Sequence, residues 1–404
     1  MPRIAVIGAG ISGAAVAREL ARRGHEVTVV ERAAAAAGTS GRGEGNVLVS
    51  DKGPGPELEL SVLSRRLWSA LACELREELP EPFPSIEFEA KGGLVVATTE
   101  AGARSLEEFA GAQRAVGVRA DVLDRASVNE LEPHLTERST AAIHYPEDAQ
   151  VQPVIATEAL LASARNAGAT VITGTRVSAA VRDDAGRLSG VRVESRTGRR
   201  DIIAADQVVI AAGPWSAEVS SLLGAPIPVK PRRGMVLVTT RMPHRIRRKV
   251  YDADYVGAVG SSDVDLQTSS VVESTAAGTV LIGSSREQVG FRDDFRARIV
   301  AELARKATAL FPFLAGASVM RTYSGFRPYM PDHLPVIGED PRAAGIWHAT
   351  GHEGAGIGLA PATAQLLASL IDGSPAPLDA SPFAPARPSL APYLNEPYPN
   401  EVTV

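Results

Sequence analysis

RIAVIGAGISGAAVARELARRGHEVTVVE, residues 3–31, decides the fold of this chain. The apolar run 4–7 and the second apolar run 27–30 predict two short strands. The amphipathic stretch 11–23 between them predicts a helix, and Gly24 ends it. Strand, glycine-rich turn, helix and strand together make a βαβ unit, in which two parallel strands flank one helix.

Three glycines and one acid give this βαβ unit a function. Gly8, Gly10 and Gly13 fit G-x-G-x-x-G, in which the first glycine permits a tight turn, the second admits a pyrophosphate and the third lets the helix pack closely. The helix N-terminus, at Ile11 and Ser12, offers free N–H groups and a positive dipole end to phosphates. Glu31 lies 23 positions after Gly8 and is placed to accept hydrogen bonds from ribose hydroxyls. The sequence therefore predicts a bound dinucleotide.

Length and composition limit the other classes. The 404 residues exceed one compact domain of ordinary size, so we expect two domains. With 42 Lys and Arg against 47 Asp and Glu, the net charge of −5 does not favour nucleic-acid binding. We find no apolar run near the roughly 18 residues of a membrane span. The only cysteine, Cys73, excludes an intramolecular disulfide and is expected to be a small buried residue. We expect no metal site and, by default, a cytoplasmic protein.

Other segments indicate how the chain is organised. Residues 38–46 form a glycine-rich loop, 58–79 and 101–134 are expected to be helical, and 208–213 reads as a buried parallel strand with its end facing a ligand. The alternating runs between 226 and 323 predict antiparallel strands of a second domain inserted into the first. A C-terminal helix is expected from about 360 to 371, with Pro361 in its first turn.

The glycine loop at 351–356 feeds this last helix, just as the first loop feeds the N-terminal helix. Paired loops of this kind converge on one ligand, and the second helix would direct its positive end at a group that gains negative charge. A reduced flavin gains such charge at its pyrimidine edge. The pair therefore favours FAD over NAD.

An ordered set of motifs makes the expectation more specific. The chain resembles the D-amino-acid oxidase superfamily over nearly its whole length, and within it the glycine and sarcosine oxidases and the flavin subunits of opine, hydroxyproline and cyanide-forming glycine dehydrogenases. The motifs that carry the resemblance, after the glycine motif and Glu31, are AAGPWS (211–216), PRRG (231–234), GSSRE (283–287), GFRP (325–328), PDHLPVIG (331–338) and GHEGAG (351–356).

This resemblance implies a mixed α/β fold. We expect a Rossmann-like FAD-binding domain of glutathione-reductase type, discontinuous in sequence, from residues 1–90, 149–225 and 325–375. An inserted substrate domain built on an antiparallel sheet would comprise 91–148 and 226–324, and 376–404 would form a surface tail. The implied reaction is oxidation of the C–N bond of a small amino acid or secondary amine to an imine, by hydride transfer to flavin N5 and later hydrolysis.

The resemblance also assigns site residues. Arg327 would bind the substrate carboxylate through two parallel charge-assisted hydrogen bonds, with a structural pair to Asp332 as the alternative. His352 and Glu353 would contact flavin or the substrate amine, with a general-base role for either left open. Tyr251 and Tyr255 would bind a carboxylate or simply pack. The residues expected to hold the cofactor are Gly8, Gly10, Ile11, Ser12, Gly13, Glu31, Arg32, Ser40, Gly41, Arg42, Glu44, Gly45, Asn46, Val177, Gly213, Trp215, Arg327, His352, Glu353, Gly354, Ala355, Gly356 and Ile357.

Departures from the family narrow these expectations. Glycine oxidases carry an arginine at the position of Gly354, so its absence disfavours glycine itself as the substrate. The cysteine and histidine that attach FAD in some relatives are missing from the matching segments, which predicts non-covalent FAD. Trp68 and Trp347 read as core residues.

Several functions stay open at this point. The first is a free-standing oxidase or dehydrogenase that passes electrons to O2 or another acceptor, as a homo-oligomer or alone. The second is the flavin subunit of a hetero-oligomeric dehydrogenase with partner subunits. The third is a non-catalytic FAD-binding protein, and the fourth, an NAD-dependent dehydrogenase, is disfavoured by the C-terminal glycine loop.

Overall fold

In the computed structural model, residues 1–394 are described, apart from the side chains of Val256 and Val259. Helices are α1 Ile11–Arg22, α2 Pro56–Glu78, α3 Glu100–Ala115, α4 Arg125–Leu131, α5 Pro153–Asn166, α6 Ser216–Leu222, α7 Asp254–Val259, α8 Ala297–Leu310 and α9 Gly356–Asp372. Strands are β1 Arg3–Ile7, β2 Glu26–Val30, β3 Asn46–Val47, β4 Gly93–Ala97, β5 Asp121–Val122, β6 Ala141–Tyr145, β7 Ala149–Gln150, β8 Thr170–Ile172, β9 Thr175–Arg182, β10 Leu188–Ser195, β11 Arg200–Ala204, β12 Gln207–Ile210, β13 Lys230–Thr239, β14 Lys249–Asp252, β15 Gln267–Ser274, β16 Val280–Arg286, β17 Val319–Tyr329, β18 Val336–Glu339 and β19 Ile346–Thr350.

A six-stranded sheet organises the first half of the fold. Its strand order is β18-β19-β12-β1-β2-β8, parallel except for β18 at the edge. Alternate residues of β1 point to opposite faces: Ile4 and Val6 pack against α1, α5 and α9, whereas Ala5 and Ile7 face the three-stranded sheet β11-β10-β9. Because both faces are covered, the central strand β1 is apolar from Ile4 to Ile7, as is usual for parallel sheets.

Helix α9 differs from expectation because it begins at Gly356 and carries Pro361 in its interior. Proline has no N–H, so the carbonyl of Ile357, four residues earlier, loses its helical partner. Trp68 of α2 replaces it: its Nε1 donates to the carbonyls of Ile357 (3.0 Å) and Gly358 (3.1 Å). Ser64 Oγ also donates to the Gly358 carbonyl at 2.6 Å. A neighbouring helix therefore supplies the missing hydrogen bonds.

Contrary to the expectation that no apolar run approaches the length of a membrane span, this helix and the turn before it meet the length and apolarity criteria for one. The stretch Glu353–Asp372 passes them by length and composition only, and 67% of its apolar window is buried inside the protein. Its residues belong to the main core together with those of α1, α2 and α5. The apolar character of this stretch is therefore explained by its burial in the core.

An eight-stranded sheet organises the other half, in the order β17-β13-β16-β15-β14-β4-β6-β5. All neighbours are antiparallel except β14 and β4. Leu303 of α8 is in the hydrophobic cluster on one side of this sheet, and Leu106 of α3 is in the cluster on the other. Segments 91–148 and 226–324 therefore contribute to one sheet. Strand β17 continues to Tyr329, past position 324 where we expect the domain to end.

Three local expectations are wrong. Residues 101–134 form two helices, α3 and α4, separated by the short strand β5, rather than one helical stretch. Cys73 is exposed, because it lies on the outer face of α2. The tail is not free up to residue 394: Phe383 is fully buried in the main core, and Leu390 is fully buried beside Met330.

Arg387 fastens this C-terminal segment. Its guanidinium binds both carboxylate oxygens of Asp332, at 2.6 and 2.9 Å, and donates to the carbonyls of Leu334 and Pro335. Asp332 is therefore held by Arg387 and does not pair with Arg327. Residues 395–404 of the predicted tail lie outside the described residues.

Candidate functional site

A cavity of about 730 Å³ lies between the two large sheets. One wall comes from the carboxyl ends of β1, β2 and β12, where ligands bind in open α/β sheets. The opposite wall comes from β13, β16 and β17 of the second sheet. The loops 36–46 and 349–357 line the space between them. The volume lies within the usual range for sites that hold cofactors.

The glycine motif leaves no room for side chains at its end of the cavity. Gly8 has φ +111°, and a Cβ there would lie 2.5 Å from the carbonyl oxygen of Ala211. A Cβ on Gly13 would lie 1.9 Å from the carbonyl oxygen of Gly8, so only glycine lets α1 approach the turn. Glu31 accepts hydrogen bonds from the backbone N–H groups of Ala9 (2.9 Å) and Ala33 (2.8 Å). These contacts shape a cradle in front of the N-terminus of α1.

The loop 38–46 is tied to both walls. Ser40 Oγ accepts from the N–H of Ile11 at 2.9 Å, at the start of α1. Thr39 Oγ1 donates to the carbonyl of Phe326 at 2.5 Å, and Arg42 donates to the carbonyl of Ser324 at 2.7 Å. The loop therefore bridges the glycine motif and strand β17.

Aromatic and cationic groups line one edge of the cavity. The guanidinium of Arg32 lies 4.1 Å from the centroid of the Trp215 ring. Trp215 in turn stacks on Phe291, with centroids 5.3 Å apart and planes 9° from parallel. Arg32 and Trp215 therefore line the cavity as a cation–π pair, and Phe291, which is not part of the lining, packs on the indole.

Arg327, on β17, projects into the cavity without a carboxylate partner in residues 1–394. Its Nη1 donates to the carbonyl of Ser285 at 2.9 Å. Burial and the neighbouring Arg286 lower the pKa of Arg327 to about 10, which leaves it charged at neutral pH. A Cβ on Gly234 would lie 2.3 Å from Nη1, and one on Gly354 would lie 3.5 Å from Nε. Two glycines therefore make room for this guanidinium.

Glu353 lines the cavity beside this arginine. It has φ +46°, an unusual conformation for a residue with a side chain, and its Oε1 lies 2.5 Å from Nη1 of the buried Arg232. Its Oε2 lies 3.6 Å from His333 Nδ1. Although burial opposes ionisation, His333 and Arg232 hold the pKa of Glu353 below its ordinary value. Glu353 is therefore an ionised, weakly basic group, which does not suit a general base.

His352 is buried at the same turn. Its Nε2 lies 2.9 Å from Thr363 Oγ1 of α9. Burial lowers the pKa of His352 to about 4, so the imidazole is neutral at pH 7. A neutral, hydrogen-bonded imidazole positions the loop 351–356 without adding charge to the cavity.

A second buried network lies under the cavity. Lys249 Nζ is 3.0 Å from Glu273 Oε2 and 3.8 Å from Glu44 Oε2, and it also contacts Asn46 Oδ1. Burial opposes its charge, but the two carboxylates raise the pKa of Lys249 above its ordinary value. Glu44 and Asn46, which line the cavity, are thereby held in place.

Only one of the two candidate tyrosines reaches the cavity. Tyr255 lines it, whereas Tyr251 is fully buried against Ser50 and packs on Tyr255 with ring centroids 5.0 Å apart. Of the two alternatives for Tyr251, packing is therefore the one seen in the structure, and this residue does not line the cavity. Its strand β14 presents it to the α3 side of the sheet.

Most of the other expected residues surround the same cavity. Those lining it are Gly8, Gly10, Ile11, Ser12, Glu31, Arg32, Ser40, Arg42, Glu44, Asn46, Val177, Gly213, Trp215, Arg327, His352, Glu353, Gly354, Gly356 and Ile357. Four expected residues do not line it: Gly13, Gly41, Gly45 and Ala355. They lie behind the wall, where Gly41 and Gly45 pack against the backbone of Ala36 and Val151.

Several charged residues of the site received no role from the sequence. Arg232 and Arg286 fall in the PRRG and GSSRE motifs, so their positions were visible but their burial was not. Lys249 lies in a basic stretch that reads as a solvated loop, yet it is only 2% exposed. These side chains are buried because strands distant in sequence pair with one another, and no local sequence pattern predicts this burial.

The geometry fits a dinucleotide at the glycine end and leaves a charged compartment at the other. Residues 1–394 contain no cluster of three or more His, Cys, Asp and Glu side chains able to hold a metal ion. The cradle of Gly8 and Gly10, in front of α1, suits a pyrophosphate. Arg327 and its neighbours suit a small anion.

Comparison with known proteins identifies relatives of similar sequence and fold. The glycine oxidase of Geobacillus kaustophilus is 30% identical over 388 residues, covering 95% of this chain and 96% of that protein. Its crystal structure superposes with a TM-score of 0.84 at 29% identity, over 96% of this chain and 99% of the other.

Two further proteins are similar. The hydrogen cyanide synthase subunit HcnC of Pseudomonas aeruginosa is 32% identical over 266 residues, 66% of this chain and 59% of that protein. The crystal structure of iminodiacetate oxidase from Chelativorans sp. BNC1 has a TM-score of 0.78 at 25% identity, over 95% of this chain and 99% of the other.

The family match spans nearly the same length. Residues 3–370 match the DAO family, described as FAD-dependent oxidoreductases, and this range includes both sheets and every cavity residue named above. The cofactor of the cavity is therefore FAD, and the chain belongs to the DAO family of FAD-dependent oxidoreductases.

Proposed function

We propose that this protein oxidises the C–N bond of a small amino acid or secondary amine that carries a carboxylate. The product would be an imine, which water then hydrolyses. The proposal is supported by the similarity to glycine oxidase, HcnC and iminodiacetate oxidase. It depends most on one observation, the charged Arg327 in the cavity wall.

Arg327 supports a carboxylate as the substrate's anchor. Its bond to the Ser285 carbonyl uses one of five N–H donors, and the remaining four suit a planar, doubly accepting group. Without an acid partner in residues 1–394, the guanidinium gains most from an anion that enters the cavity. Binding through two parallel hydrogen bonds would fix which carbon of the substrate faces the cofactor.

FAD would be held by the glycine cradle, the loop 38–46 and the start of α9, and when bound it supplies the two-electron acceptor for the oxidation. Cys73 lies on the outer face of α2 and does not line the cavity, which supports non-covalent binding. Denaturation with acid should therefore release the flavin into the supernatant.

The residues beside Arg327 favour a neutral amine. His352 is neutral, with its pKa at about 4, and Glu353 is engaged by Arg232. Neither group is suited to take a proton from a substrate ammonium at neutral pH. We therefore infer that the substrate binds or reacts as the free amine. The fraction of substrate in this unprotonated form increases with pH.

Anaerobic bleaching of the purified yellow protein tests the proposal. Sarcosine, D- and L-proline, D-alanine, hydroxyproline isomers and an opine would be added singly, with the corresponding decarboxylated amines as controls. Loss of the flavin absorbance with a carboxylate-bearing amine, and not with its decarboxylated analogue, supports the proposal. Bleaching by the decarboxylated amine at equal concentration contradicts it.

A second candidate is the flavin subunit of a hetero-oligomeric dehydrogenase. The 32% identity to HcnC, which is named as a subunit of hydrogen cyanide synthase, favours it. Admitting air to the bleached protein separates the two. Fast recolouring supports a free-standing oxidase, whereas slow recolouring that an artificial electron acceptor accelerates supports a dehydrogenase.

A further inference from the structure

Arg286 differs from the other buried arginines of this protein. Five arginines within residues 1–394 are nearly wholly buried, and Arg286 is 3% exposed. Four of them pair with a carboxylate, namely Arg18, Arg232, Arg233 and Arg387. Arg286 has no carboxylate within 4.0 Å among these residues. A buried charge without a counterion costs several kcal/mol, so its retention calls for a partner.

Arg286 lies directly behind the cavity lining, to which two of its contact partners belong. Its Nη1 lies 3.2 Å from Ser284 Oγ, and its guanidinium carbon lies 4.7 Å from the centroid of the Tyr255 ring. Both Ser284 and Tyr255 line the cavity. The tyrosine face offsets part of the positive charge, but an aromatic ring is a weaker partner than a carboxylate.

Arg286 is also a neighbour of Arg327. The carbonyl that Arg327 binds belongs to Ser285, the residue before Arg286 on β16. The proximity of Arg286 contributes to the lowered pKa of Arg327. Glu353, an acid of the same cavity wall, is already engaged by Arg232 and lies close to His333. The compartment therefore holds two guanidiniums that no acid in residues 1–394 neutralises by an ion pair.

We propose that Arg286 and Arg327 together select a substrate with two carboxylates, an acidic amino acid or an iminodicarboxylate. This rests on the proposed function and narrows its substrate class. Arg327 holds the carboxylate next to the reacting carbon, and Arg286 holds the second one, reached between Ser284 and Tyr255. A neutral-amine dicarboxylate brings two negative charges and compensates both guanidiniums, whereas a monocarboxylate compensates one.

Two matched thioether acids test this without turnover. Thiodiacetate carries two carboxylates, and (ethylthio)acetate has a methyl group in place of one of them. Neither contains an amine. Their affinities for the FAD-loaded protein would be measured by calorimetry and by the change in flavin absorbance. We expect thiodiacetate to bind at least 10-fold more tightly, because a hydrogen-bonded charge pair is worth about one to two powers of ten. A ratio near one in the unmodified protein overturns the proposal.

Variants assign the ratio to Arg286. In Arg286→Gln the ratio should fall close to one, and in Arg286→Lys, which keeps the charge but not the fork, it should be intermediate. The control Arg321→Gln removes an exposed arginine of β17, the strand that carries Arg327, and should keep the full ratio. A ratio that survives in Arg286→Gln also overturns the proposal.

The outcomes separate this inference from the proposed function. If (ethylthio)acetate binds, carboxylate amines bleach the flavin and thiodiacetate has no advantage, the proposed function stands and this inference fails. If neither acid binds and no carboxylate amine bleaches the flavin, both fail. FAD content and thermal unfolding of each variant identify any loss that comes from misfolding.

Discussion

Removal of the Arg327 guanidinium should weaken substrate binding while leaving FAD in place. Arg327→Ala deletes a charged group that rests on Gly234 and Gly354 and has no acid partner in residues 1–394. Its loss therefore strands no protein carboxylate. The lost interaction is the pair with the substrate carboxylate, worth about 3 kcal/mol for a partly buried, bidentate geometry. At 1.4 kcal/mol per factor of ten, KM or Kd should rise about 100-fold.

The assay is anaerobic reduction of the bound flavin at increasing concentrations of the best substrate from the panel, which separates Kd from the limiting rate. Arg327→Lys keeps the charge but loses the planar fork, so we expect a smaller rise of about 10-fold. Arg321→Ala, on the exposed part of β17, is the matched control and should match the unmodified protein. A Kd for Arg327→Ala within threefold of the unmodified value, with FAD still bound, would refute the reasoning.

Three further predictions follow from contacts described above. Gly234→Ala should raise KM about 10-fold with FAD retained, because the new Cβ would lie 2.3 Å from Nη1 of Arg327 and displace its guanidinium. Gly316→Ala, which has open space around it, is the control, and equal KM values for the two variants would contradict the prediction. Trp68→Phe should lower the free energy of unfolding by about 1–3 kcal/mol in urea titrations, because two carbonyls of α9 lose their donor. Trp347→Phe is the control and should lower it less, because the buried Nε1 of Trp347 has no partner within residues 1–394. Equal losses in the two variants would count against the role of the Trp68 N–H. The pKa of His352 is about 4 in the folded protein, below the value of about 6.5 in the unfolded chain, so the unfolded chain takes up the proton first as the pH falls. Between pH 7 and 4 the free energy of unfolding should therefore fall by up to about 3 kcal/mol more than that of His352→Gln. Parallel stability curves for the two proteins over this range would show that burial does not depress this pKa.

The glycine-rich parts of the site were predictable because their function depends on local backbone geometry. A tight turn, a helix start and an acid at a fixed spacing are written in consecutive residues, as in Gly8, Gly10 and Glu31. The structure brings these three residues to the cavity as expected. Arg327 was identified through the GFRP motif, and the cavity does contain it.

Long-range pairing accounts for what the sequence missed. Tyr251 and Tyr255 are close in sequence and pack in one hydrophobic cluster, but Tyr251 ends up buried on strand β14 whereas Tyr255, on helix α7, also lines the cavity. The change from strand to helix between them is not visible in the local sequence pattern. Pro361 sits inside α9 because Trp68, almost 300 residues earlier, supplies the donors that proline removes. The counterions of the other buried arginines likewise come from segments distant in sequence, such as Glu353 for Arg232 and Glu287 for Arg233, so the unpaired state of Arg286 is visible only in three dimensions.

The fastening of the C-terminal segment by Arg387 has a practical consequence. Its composition invites trimming at about residue 376, yet such a deletion would remove Phe383 from the main core and release Asp332. Asp332 immediately precedes His333, which lies 3.6 Å from Glu353 in the cavity wall. Residues 383–387 therefore act as a remote brace for the turn that carries His333, and we expect a protein shortened at about residue 376 to bind substrates differently before its flavin spectrum changes.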